Sequence, residues 1–131
     1  MNTPARGTKP DLVQDEPPFE VIENNIARFL RVETEDGPDL FPYIGLRHVS
    51  SRVLSGPSDR NTRRREQIRM KFDEGVVIIT GSGLFKMLDE IQQERLYAVR
   101  AGVPENPDHP HIEMVEIFEP GETIALLQPR K

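Results

Sequence analysis

The chain has 131 residues, a net charge of −5, 36% hydrophobic residues, a pI near 5.2 and a mean hydropathy of −0.54. That length sets an expectation of one domain, and no apolar run reaches the roughly 20 residues that a membrane helix needs. The lack of cysteine excludes disulfides and thiol chemistry, and the acidic balance argues against a dedicated nucleic-acid or anionic-membrane binder.

Residues 1–18 hold four prolines, several charges and no aromatic residue. They read as a flexible tail, and they lack the apolar centre of a secretion signal. The alternative is an arm that docks on a neighbouring subunit through Leu12 and Val13. Residues 19–131 read as a single β-rich domain. A cytoplasmic setting is the expectation, and the lack of cysteine agrees with it.

The domain opens with Phe19-Glu20-Val21-Ile22, a candidate short strand. Ile26 to Val32 fits helix and strand equally, because a short apolar segment has no decisive period. Thr34 to Asp39 reads as a turn around Gly37-Pro38. Tyr43 to Leu54 reads as one extended segment bent at Gly45, followed by a polar loop from Ser55 to Arg65.

Arg63 to Gly102 is the most informative stretch. Ile68, Met70 and Phe72 alternate with Gln67, Arg69 and Lys71, which sends the two sets to opposite faces of a strand. The turn Asp73-Glu74-Gly75 follows. Val76 to Thr80 is β-branched without alternation, as in a strand covered on both faces. Gly81-Ser82-Gly83 then breaks it, with Ser82 as the expected N-cap of an amphipathic helix. In that helix Leu84, Met87, Leu88 and Ile91 share a face. Leu96 to Val99 returns to a strand, either parallel to Val76–Thr80 through a right-handed crossover or antiparallel to it. After a proline-bearing loop, His111 to Phe118 reads as a strand, residues 119–122 as a turn, and Thr123 to Leu127 as a closing strand.

The sum is six or seven strands and one helix over residues 84–94. The expected fold class is α+β and β-rich: a small bent antiparallel sheet or partly open barrel, with the helix plugging one side.

Three constellations carry the chemistry. Residues 60–71 hold Arg60, Arg63, Arg64, Arg65, Arg69 and Lys71 against Glu66 alone, a local excess of five positive charges in an acidic chain. Arginine forks suit phosphate oxygens, but no aromatic residue interleaves them to stack on bases. The arginines would also blunt a sheet edge. Gly81-Ser82-Gly83 before a helix could cradle an anion, yet Lys86 stands where the dinucleotide fingerprint needs glycine. Asp108, His109, His111 and Glu113 offer nitrogen and oxygen donors, but their spacing matches no closed zinc pattern. The serines and His48 lie in no nucleophile motif, and a core this small leaves little room for a pocket of several hundred Å3.

The expectation is therefore a non-catalytic interaction or structural module, a homo-oligomer or partner-binding protein. It would self-associate through Arg63, Arg64, Arg65, Arg69 and Lys71 on the basic strand face against acidic surfaces. Nucleic-acid binding through the Arg60–Lys71 patch is the second reading. A small metal-binding domain or enzyme centred on His109 and His111 is the third. No catalytic residue, resident metal or cofactor, and no membrane, belongs to the first.

Overall fold

The computed structural model describes residues 17–55, 64–104 and 108–120. The polar–apolar alternation after Arg64 produces a strand over Arg65–Phe72 that buries Glu66, Ile68, Met70 and Phe72. It turns Arg65, Gln67, Arg69 and Lys71 the other way. Asp73 and Glu74 make a two-residue turn, and Gly75–Ser82 returns antiparallel, buried at every position. That burial follows from its central place, between Arg65–Phe72 and a strand over His111–Phe118. A strand over Leu46–Ser55 completes the sheet.

A second sheet is built from Phe19–Val21, Phe29–Thr34, Gly37–Pro42 and Leu96–Arg100. In chain order the eight strands are β1 (Phe19–Val21), β2 (Phe29–Thr34), β3 (Gly37–Pro42), β4 (Leu46–Ser55), β5 (Arg65–Phe72), β6 (Gly75–Ser82), β7 (Leu96–Arg100) and β8 (His111–Phe118). The first sheet runs β4-β5-β6-β8 and the second β1-β7-β2-β3. The fold is a β-rich α+β arrangement of two open sheets rather than one bent sheet, and no barrel closes among the described residues.

The ambiguous segment at residues 26–32 resolves as strand in its second half. Leu30 and Val32 are fully buried while Phe29 and Arg31 are exposed, a period of two. The segment read as a turn is a β2–β3 hairpin over Glu35-Asp36, with Gly37 at φ +115° on its far side. The bend at Gly45 is a 3-10 turn over Tyr43–Gly45. β5 lies between β4 and β6, so its arginines do not guard an edge.

The helical connection starts where expected and is shorter. A 3-10 turn at Leu84–Met87 leads into α1 (Leu88–Gln92), and Leu84, Met87 and Ile91 are buried. It delivers the chain to the other sheet. There β7 runs antiparallel to β1 and parallel to β2, so neither expected pairing with residues 76–80 forms. Ser82 is not the helix cap either. It is the last residue of β6, and the cap position is Gly83 at φ +70°.

The core lies between the sheets, with Leu30, Val32, Ile68, Val77, Ile79 and Leu96 among its buried residues. The Phe41 and Phe72 rings meet at 5.0 Å, and Tyr43 stands edge-on to Phe72 at 6.4 Å. Tyr43 donates its hydroxyl to the Leu96 carbonyl at 2.6 Å. Burial pushes its phenol pKa up, and Glu94 adds to the effect. Among the described residues no helix is long and apolar enough to cross a membrane. The tail at 1–16, Arg60, Arg63 and the proposed closing strand at 123–127 lie outside the described residues.

Gly81 sits at an irregularity in the β6–β8 register. A Cβ there would come within 2.0 Å of the His111 carbonyl oxygen and 3.1 Å of the Ile112 Cα. At Gly45 the nearest obstacle is the Glu74 carboxylate, the mobile end of an exposed side chain, at 2.9 Å. Backbone in a ladder cannot yield as a carboxylate can. Gly81→Ala is therefore expected to lower unfolding free energy by about 1–3 kcal/mol, as overpacking does. Gly45→Ala should cost less than about 0.5 kcal/mol. Urea unfolding of both variants checks this, and equal losses would refute the assignment.

Candidate functional site

The outer face of the first sheet follows directly from its register. His48 lies opposite Lys71, Ser50 opposite Arg69 and Arg52 opposite Gln67. Across β6 the rows continue as Lys71–Val76–Phe118 and Arg69–Ile78–Glu116. Directly opposed residues share a face. Basic side chains thus hold the β4–β5 half, and Glu116 stands on β8. Val76 and Ile78 separate them, buried but outside the core cluster that takes Val77 and Ile79.

The six arginine and lysine positions expected to act together are divided by the fold. Arg60 and Arg63 lie outside the described residues. Arg64 turns to Glu66 at 2.8 Å and lies over the Phe85 ring at 5.4 Å. Arg65 pairs with Glu113 at 3.1 Å. Arg69 donates to Gln67 Oε1 at 2.8 Å. Burial lowers the Arg69 pKa, and the nearby Arg52 charge lowers it further. Lys71 is exposed. Arg52, Arg69 and Lys71 make no ion pair among the described residues. Arg52 was absent from the sequence-based set, although His48, Ser50 and Arg52 show the same period of two as β5.

Glu66 has a different task. It faces the core side of β5 and is 3% exposed. One oxygen accepts the amides of Leu84 at 2.7 Å and Phe85 at 3.2 Å, while the other accepts Arg64. These amides begin the helical turn after Gly83. The anion cradle read from Gly81-Ser82-Gly83 is therefore filled by the protein's own carboxylate.

A large open cleft, about 1090 Å3 in volume, lies between β8 and the β2–β3 hairpin. It is not carved from the core but lies between the sheets' margins, which is why a small core did not forbid it. Its walls carry eight carboxylates: Glu33, Glu35, Asp36, Asp39, Glu74, Glu113, Glu116 and Glu119. Arg100 is the one cation among the described lining residues. These acids come from three distant parts of the chain, so no local run announced them.

Arg100 is itself engaged. It bonds Glu20 at 2.8 Å and Glu33 at 3.0 and 3.1 Å, and it also donates to the Pro17 carbonyl. Tyr97 donates to the other Glu20 oxygen at 2.6 Å. The Tyr97 bond, opposed by burial and aided by Arg100, holds the Glu20 pKa below the usual carboxylate value. Arg100 does the same for Glu33.

The histidine segment does not converge. Among the described residues no three histidine, aspartate or glutamate side chains stand at metal-ligand spacing. Glu113 is paired with Arg65, and the Asp108 carbonyl accepts Lys86. Comparisons of the chain with family models, curated proteins and solved structures each found no match.

Two outcomes are expected. Glu20 and Glu33 have depressed folded pKa values, so their contribution is complete above the unfolded carboxylate pKa. It is lost as pH falls through the folded value. The melting temperature should therefore drop as pH falls below about 4. Arg100→Met should lower stability at neutral pH and flatten that acid-side drop; a parallel pH profile would contradict the network. Second, Glu66→Ala strands two amides and should cost about 1–3 kcal/mol in chemical denaturation. Glu66→Gln, which keeps an acceptor, should lose less.

Proposed function

We propose that this chain is a non-catalytic interaction or structural module that associates with copies of itself. The basic outer face of β4–β5 in one copy meets the acidic surface around the cleft in another. The observation that supports this is the segregation of unpaired charge. Arg52, Arg69 and Lys71 gather on one face. Glu35, Asp36, Asp39, Glu74 and Glu116 gather at the cleft, and none of these eight makes an ion pair among the described residues. Complementary patches of opposite sign steer association and fix its register. Two different patches make a heterologous contact, which closes into a ring or continues as a chain. A cytoplasmic setting belongs to this reading and rests on the lack of cysteine.

A second reading uses the same basic face for a nucleic-acid backbone. It is less favoured, because no phenylalanine, tyrosine or tryptophan of β4 or β5 shares the outer face with their cations to stack on bases; Phe72 turns to the core.

Sedimentation velocity over a range of protein concentrations tests the first reading. The wild-type chain should form species larger than a monomer at low ionic strength, and salt should weaken them. Arg69→Glu combined with Lys71→Glu should sediment as a monomer. A wild-type chain that stays monomeric under every condition removes the proposal. Salt-dependent oligonucleotide binding by that monomer would favour the second reading.

A further inference from the structure

We infer that the open edge of β8 is a docking groove for an extended basic segment of a partner protein, which adds to the first sheet as a further strand. The inference goes beyond self-association and does not rest on it. The lining of the cleft carries it first. Seven consecutive residues, Glu113 to Glu119, line the cleft, although Val115 and Ile117 also pack against the core. A surface reached only from one face of a strand would present alternate residues. Consecutive lining means that the cleft runs along the backbone edge itself.

That edge has backbone to offer. Among the described residues β8 is the last strand of its sheet and pairs with β6 on one side only. On the other side a single antiparallel bridge is formed. Gly102 N–H donates to the Ile112 carbonyl at 2.8 Å, and Ile112 N–H donates to the Gly102 carbonyl at 3.1 Å. The bridge shows that this edge can hold an antiparallel neighbour. Beyond Ile112 no strand partner is present among the described residues. The opposite margin differs, because β3 carries Pro38 and Pro42, which blunt an edge. β8 contains no proline.

Charge selects the occupant. Within the cleft Glu33 is held by Arg100 and Glu113 by Arg65. Glu35, Asp36, Asp39, Glu74 and Glu116 remain without an ion pair among the described residues. An acidic strand would be repelled, and a neutral one would leave these carboxylates uncompensated. Leu40 and Met114, 59% and 43% exposed, give the same groove apolar contacts. The matching segment alternates basic with aliphatic side chains and uses its own backbone for the ladder, the mode of β-strand addition.

The test uses the full chain and a capped peptide of about eight alternating lysine and valine residues, a length that spans the open part of β8. Calorimetry at low salt should show one peptide bound per chain. A glutamate–valine peptide should bind at least about tenfold more weakly. So should a lysine–valine peptide N-methylated at alternate residues, which keeps the charge but loses ladder donors. Asp36→Lys with Asp39→Lys should weaken the parent peptide comparably. The Arg69→Glu, Lys71→Glu chain, whose groove no basic face of a second copy would cover, should bind the peptide at least as tightly as the wild type does, so failure of self-association and failure of this groove are read apart. Hydrogen exchange should slow within Met114–Phe118 on binding. Equal binding of the N-methylated peptide would reduce the site to charge alone and overturn the inference. So would full protection of every Glu113–Phe118 amide before peptide is added, since the edge would then be filled by the chain itself.

Discussion

The fold turns on one buried carboxylate. Glu66 takes a core-facing position in a strand whose other core-facing residues are Ile68, Met70 and Phe72. A charge in that place is costly unless several donors reach it. Three do: the amides of Leu84 and Phe85 and the guanidinium of Arg64. The Leu84–Met87 turn is thereby fixed against β5, and from it the chain crosses to the second sheet. Arg64 over the Phe85 ring braces the same corner. A polar joint, buried at Glu66 and reaching the surface at Arg64, thus fixes the start of the crossover between the two sheets that pack on the shared core.

Strands with a strong internal pattern were readable from the residues alone. β5, β6 and β8 lie where alternation or unbroken β-branching placed them, and Leu84 begins the helical turn. What failed was information that no local pattern contains. Periodicity says that residues 96–99 are extended but not which strands they join. β3 was missed because a segment with two prolines reads as a break unless it lies at an edge. Ser82 fits the local rule for a cap, but the acceptor comes from Glu66, 18 residues upstream of Leu84.

The same limit governs the surface. The cluster from Arg60 to Lys71 looks continuous in sequence. In the fold Arg64 and Arg65 are drawn to separate carboxylates, while Arg52 arrives from another strand to stand near Arg69. The acidic cleft is the mirror case. Its carboxylates are ordinary surface residues until three distant segments meet. Charge sorted in this way gives the described part of an acidic protein a cationic β4–β5 half-sheet and an open anionic cleft, so an approaching molecule meets a field that depends on its direction.

The placement of β7 also sets an order in time. β1 and β2 both pair with β7, and β4, β5 and β6 are all encoded between β2 and β7. During synthesis the β2–β3 hairpin leaves the ribosome without the neighbour that its buried face requires. At 5–20 residues per second that wait lasts roughly 3–13 s. Such distant pairing slows folding, because loop closure must precede the contacts that reward it. β1 and the β2–β3 hairpin therefore wait for a neighbour that is encoded more than 50 residues after β3 ends.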